Sequence, residues 1–184
     1  GDSVSPLIKP GPQGLYAIQE LVQEDLGLVA AELSRIIVSD FELIGQVNEH
    51  LFLTRGKLFR PTLLLLSSRI DAEASDEAAL TLAAVVELVH LATLVHDDAV
   101  DHSVLRRGLP TINVAWTHQV AIIMGDYLYS RGVTELAKLG NLPALEVLAR
   151  AANEMAIGEM RQLTSYDALS FGEDDYYRLI ASKT

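Results

Sequence analysis

Cysteine is absent from the 184 residues. This excludes a disulfide framework, a thiolate zinc site and a thiol nucleophile, and it agrees with a cytoplasmic location. Aromatic residues are scarce at 6%. Basic residues are outnumbered, with 14 Lys and Arg against 25 Asp and Glu and a formal net charge of −11. Such a balance argues against nucleic acid as a partner, because a phosphate backbone needs a basic surface. It leaves room for a small phosphate-bearing molecule, which needs only a few local cations or a bridging metal. No apolar run reaches the length of a membrane span: 78 to 95 comes nearest, interrupted by Glu87 and His90. Residues 1 to 14 lack the apolar stretch of a signal peptide and read as a flexible Gly/Pro tail.

What is present points to helices. Apolar residues make up 49% of the chain and charged residues 21%, a globular composition, and the length suits one domain with a sizeable core. Residues 15 to 38 carry Leu15, Ile18, Leu21, Val22, Leu26, Val29 and Leu33 at the three-and-four spacing of an amphipathic helix. A second helix is expected over 40 to 53, and a short buried one beginning near Pro61 after the basic break "TRGKLFRP". Ser75 is placed to cap a long helix ending at Asp101, with Asp76 and Glu77 in its first turn. Apolar residues on nearly all its sides make it the central helix of a bundle. Further helices are expected at 112 to 139, 143 to 164 and from 173 onward. No segment alternates with period two, so the reading is all-α: a tail over 1 to 14 and one helical domain over 15 to 184.

The end of the long helix carries the chemistry. In "LVHDDAVDHSVLRRG", Asp97 and Asp101 differ by about 40° around a helix, and His90 lies roughly 20° from Asp97 on the other side. The three share one face, with Asp98 beside them. Carboxylates one turn apart repel unless a cation lies between them, and acidic residues at a helix C-terminus oppose its dipole. Magnesium suits such a place, since it takes a few carboxylates and completes its shell with water and phosphate oxygens. The same residues also fit a solvated acidic helix end. Arg106 and Arg107 follow in the next loop, where their guanidiniums can hold diphosphate oxygens. Lys57 and Arg60 form a second cationic pair far away in sequence.

In order and spacing, "GKLFRP", "HLATLVHDDAVD", "RRG", "GDYLYS" and the terminal "KT" resemble the trans-prenyl diphosphate synthases, from about Leu15 to Thr184. The resemblance implies a helical bundle of the isoprenyl diphosphate synthase type and Mg2+ as cofactor. It implies condensation of an allylic diphosphate with isopentenyl diphosphate, releasing pyrophosphate and making a polyprenyl diphosphate. Carried over by motif, Asp97, Asp98 and Asp101 would be the metal cluster, and Arg106, Lys183 and Thr184 would hold the allylic diphosphate. Lys57, Arg60, His90 and Arg107 would hold isopentenyl diphosphate. Ala92 and Thr93, small residues just before the first aspartate, would leave room for a long product, geranylgeranyl or beyond. A homodimer is implied as well.

The family's second aspartate-rich motif has no counterpart here. "GEDDYY" is expected to be the acidic first turn of the last helix, with Glu173, Asp174 and Asp175 against the dipole. The expectation is therefore a chain truncated at its C-terminus, with weak or no turnover on its own. Alternatives are a non-catalytic partner subunit, a disabled fragment, a terpene cyclase and a plain helical interaction domain. A partner subunit would tend to lose the aspartates, and a cyclase leaves Lys57 and Arg60 unexplained. His102, His118, Asp126 and Trp116 read as ordinary polar or packing positions.

Overall fold

The computed structural model describes residues 12–70, 76–165 and 172–183. Helices dominate: α1 (Pro12–Glu20), α2 (Gln23–Ile37), α3 (Glu42–Thr54), α4 (Phe59–Ser68) and α5 (Asp76–Val100) come first. A two-residue hairpin, β1 (Leu105–Arg106) and β2 (Leu109–Pro110), separates them from α6 (Ile112–Ala115), α7 (His118–Leu139), α8 (Leu142–Ser165) and α9 (Glu173–Lys183). The chain forms two compact units, one through Glu135 and one from Leu136. α1 begins at Pro12, inside the span expected to be a tail; residues 1–11 lie outside the described residues, as does Ser75.

The helix expected over 15 to 38 is two helices. Leu21 and Val22 make three-residue turn bonds to Ile18 and Gln19 instead of continuing the ladder. Tertiary contacts favour the break: Val22 is buried in the core, and Arg69 both donates to the carbonyl of Leu21 and pairs with Asp25 at 2.8 Å. The span 112 to 139 divides likewise. Trp116 leaves helical geometry with φ −124° and ψ −103°, its indole meets the His50 ring edge-on at 5.4 Å, and the Thr117 hydroxyl caps α7 by accepting from the Val120 N–H at 3.1 Å.

In the first unit α5 is the central helix, packed by α2, α4 and α6. Leu88, Leu91, Val95 and Ala99 of α5 join Leu33 and Ile36 of α2, Val47 of α3 and Leu128 of α7 in one core. α5 is strongly apolar along its length and mostly buried. By length and composition it is thus long and apolar enough to cross a membrane, which corrects the expectation that no run reaches that length. Burial on nearly all sides by neighbouring helices gives this composition a physical reason of its own. The C-terminal carbonyls of α2, orphaned by helix geometry, are satisfied from other elements. Arg131 donates to Ile36 at 2.6 Å, and Asn48 and Tyr127 donate to Ile37 at 2.9 and 3.1 Å.

The second unit pairs α8 with α9. The Asn141 side chain caps α8 through the Ala144 N–H at 3.0 Å. Glu173, Asp174 and Asp175 fill the first turn of α9, as expected. Asp175 reaches back to accept from the Gly172 N–H at 3.1 Å, the back-reaching half of a capping box.

Candidate functional site

The acidic end of α5 closes on a Schellman turn. The N–H of Ser103 donates to the Asp98 carbonyl at 2.9 Å and that of His102 to Ala99 at 3.4 Å, with His102 at φ 53° in the left-handed position usually held by glycine. The Asp101 N–H still bonds the Asp97 carbonyl at 2.8 Å, so the two residues stand one turn apart on one face.

The chain then reverses through the hairpin, in which Arg106 pairs with Leu109 across the turn. Arg107 (φ 51°) and Gly108 (φ 80°) are the turn residues, both left-handed as a type I′ turn requires. This explains the strand pair, which period-two patterning did not predict: a two-residue ladder is too short to alternate. The hairpin aims Arg106 back at α5. Its Nε and Nη2 donate to the two carboxylate oxygens of Asp98 at 2.6 and 2.9 Å, a bidentate pair that holds the guanidinium pKa above its ordinary value. His50 donates from Nε2 to the Pro110 carbonyl at 2.6 Å, an orientation fixed because a carbonyl only accepts. Beside Asp98 and Arg106, also lined by Thr54 and Leu91, is a cavity of about 20 Å³, room for a single water.

The second wall is the turn between α3 and α4. Its main chain is fastened by Gln19, whose amide donates to the Lys57 carbonyl at 2.6 Å and to the Thr62 hydroxyl at 3.0 Å. The Lys57 ammonium lies 5.5 Å from the Tyr16 ring centroid. Leu58 caps α4 in the left-handed region at φ 56°. Arg107 reaches this turn: a methyl group at Gly56 would stand 3.1 Å from its Nη2. Arg60 is close enough to Glu87 and His90 of α5 to act on both electrostatically. Burial first, then Arg60 and Arg106, push His90 down to about 4, so its imidazole is neutral at pH 7. Among the described residues, the non-glycine positions with positive φ are Leu58, His102 and Arg107. Each lies in one of the three turns just described, the kind of backbone strain that concentrates where side chains must be aimed.

The structure therefore brings Lys57, Arg60, His90 and Arg107 to one wall and stacks Asp97 with Asp101 on the other. It separates Asp98 from the expected cluster, because both its oxygens accept from Arg106. No three His, Asp or Glu side chains converge as a metal set among the described residues. Asp97 and Asp101 still fit a magnesium ion as proteins hold it, through one or two hard carboxylates with phosphate and water in the remaining positions. Lys183 is the last residue of α9, in the second unit; its side chain and all of Thr184 lie outside the described residues. Ala92 is 2% exposed within the core, whereas Thr93 is half-buried, its hydroxyl donating to the His90 carbonyl at 2.7 Å. His102 and His118, read as ordinary positions, stack at 4.6 Å. Sequence reasoning missed His50 and Gly56; a glycine before "KLFRP" was the one available signal.

Residues 41–184 match the polyprenyl synthetase family model. The octaprenyl diphosphate synthase of Escherichia coli K12 is 37% identical over 170 residues, 92% of this chain and 52% of its own length. Component 2 of the heptaprenyl diphosphate synthase of Geobacillus stearothermophilus is also 37% identical, over 92% of this chain and 53% of that protein. Two crystal structures superpose on it: the Caulobacter crescentus polyprenyl synthase with calcium and isoprenyl diphosphate (TM-score 0.87, 33% identity) and a decaprenyl diphosphate synthase from Rhodobacter capsulatus (TM-score 0.85, 37% identity). In each case the alignment covers 92% of this chain and 52% of the other. The chain thus spans about half the length of the curated relatives it matches. With a family model matched over most of its length and relatives 37% identical across 92% of it, the chain belongs to the polyprenyl synthetase family.

Proposed function

We propose that the protein acts in the condensation of an allylic diphosphate with isopentenyl diphosphate, a trans-prenyl transfer that lengthens a polyprenyl diphosphate. The carrying observation is the pairing of walls: Asp97 stacked on Asp101 at the end of α5, and Lys57, Arg60, His90 and Arg107 gathered at the other turn. The two diphosphates need such a division. One must ionise, so its leaving pyrophosphate needs charge stabilisation as it departs; the other must only be held. In the reaction the allylic C–O bond breaks with its electron pair going to pyrophosphate. The isopentenyl double bond attacks the allylic carbon, and a proton lost to the departing pyrophosphate restores neutrality. Asp97 and Asp101 would hold magnesium, which would supply charge neutralisation for the leaving diphosphate. Arg106, oriented by Asp98, presents its remaining N–H groups beside it. Neutral His90 offers one N–H to the second diphosphate without adding charge.

Octaprenyl, heptaprenyl and decaprenyl products in the relatives' names support a long product here as well. Thr93, one turn before Asp97, is the residue under the growing chain, while Ala92 is core. One relative is named as a component, which favours holding a two-subunit arrangement beside the homodimer; retention of Asp97, Asp98 and Asp101 favours the catalytic role in either. The test is incorporation of radiolabelled isopentenyl diphosphate with farnesyl diphosphate, run with calorimetry of pyrophosphate binding with and without magnesium. Incorporation, or magnesium-dependent pyrophosphate binding, that disappears in Asp97→Ala is the expected result. Pyrophosphate binding indifferent to magnesium and to Asp97 would sink the reading.

A further inference from the structure

His96 immediately precedes Asp97, yet its ring turns away to α7. There Nε2 lies 3.0 Å from the Ile122 carbonyl and 3.3 Å from Oδ1 of Asp126. The carbonyl can only accept, so Nε2 carries the hydrogen. The approach depends on Gly125: a Cβ built there would fall inside the imidazole. Seven residues further along α7, Gly132 admits Val89 of α5, with a built Cβ 3.3 Å from Cγ2. Val89 is seven residues before His96, so the helices run antiparallel with two glycine notches. The notch at Gly132 is apolar and non-directional. The notch at Gly125 holds a hydrogen-bonded ring, and on a helix that fixes the azimuth of the next residue, about 100° away. That residue is Asp97.

We infer that His96, seated in the Gly125 notch, is a positioning residue that sets the rotation of the last turn of α5 and so the aim of Asp97 and Asp101 at a metal-bound diphosphate. The inference rests on the function proposed above and assigns to "GDYLYS" a role beyond packing. Asp126 is 71% exposed at its side chain, so its contact with the ring adds little; the seat and the carbonyl bond do the positioning.

The test is Mn2+ binding by the 184-residue chain in inorganic pyrophosphate, followed by EPR, alongside thermal melts. Gly125→Ala should weaken Mn2+ binding about tenfold or more, the lower end of what losing an outer-shell partner typically costs. Gly132→Ala should lower the melting temperature yet leave affinity unchanged. His96→Ala, which empties the notch and needs no overlap relieved, should fold and lose affinity like Gly125→Ala. The double variant His96→Ala/Gly125→Ala should recover melting temperature but not affinity. Wild-type affinity in His96→Ala, equal affinity loss in Gly132→Ala, or recovery of affinity in the double variant would each overturn the inference. A wild-type chain that binds no manganese pyrophosphate overturns the site reading itself, and the inference with it.

Discussion

Arg106 and Arg107 are adjacent, and their guanidiniums serve opposite walls. Arg106 is bound bidentately to Asp98, at 2.6 and 2.9 Å; Arg107 crosses to the turn at Gly56, where Lys57 and Arg60 also stand. On the acidic wall, Asp98 is neutralised by that pair, while Asp97 and Asp101 stand one turn apart beside it. Among the described residues, the cations Lys57, Arg60 and Arg107 make no ion pair closer than 4 Å. The difference comes from the type I′ turn: Arg106 ends the ladder strand, whereas Arg107 is a left-handed turn residue. Under the function proposed above, one wall would hold a metal and a leaving group, and the other an anion that stays intact.

The comparison breaks most visibly at Asp97 or Asp101. Alanine at either should reduce magnesium-dependent pyrophosphate affinity beyond the roughly 10–100-fold typical of an outer-shell partner, with the melting temperature nearly unchanged; calorimetry and a thermal melt read the two quantities. Asp98→Ala should do the reverse. It strands the Arg106 guanidinium, 31% exposed, with its partner gone, a loss of about 1–3 kcal/mol, measured by urea unfolding, with a smaller change in metal affinity than at Asp97.

Acid sharpens the contrast at the other wall. His90 has a folded pKa pushed below its ordinary value of 6.5 to about 4, so the unfolded chain takes the proton first. Its contribution to stability is complete above about pH 6.5 and is lost as pH falls toward 4. Urea midpoints measured across that window should fall with pH in the wild type and flatten in His90→Gln. Glu32, held low chiefly by its hydrogen bond from Arg35, loses its stabilisation only at still lower pH, so the two windows separate. The smallest effect is expected at Glu87, 3% exposed and raised by burial against the opposing pull of Arg60 and Arg55. An ionised carboxylate there opposes folding, so Glu87→Gln should raise the melting temperature at pH 7 by about 2–4 °C, corresponding to roughly 1 kcal/mol, and the gain should shrink toward acid.

Much of this was legible from spacing. Helical periodicity placed α3, α5, α8 and α9 within a few residues, and the angular arithmetic that stacks Asp97 on Asp101 holds because it depends on helix geometry alone. Glu173, Asp174 and Asp175 opened α9 as dipole compensation required. The breaks at Leu21–Val22 and Trp116–Thr117 were illegible, since neither contains proline or glycine and both follow from partners far away in sequence: Arg69 for the first, His50 for the second.

The sequence by itself determined the helical class, the central helix with its acidic end, and the two groups of cations, because each follows from residue type and local period. Only the tertiary structure decided which charges meet. It gave Asp98 to Arg106, turned Arg107 to Gly56, buried Ala92 while leaving Thr93 half-exposed, and seated His96 in the Gly125 notch. Helix geometry fixes where a side chain sits on its own helix; what it touches depends on which element is packed across from it.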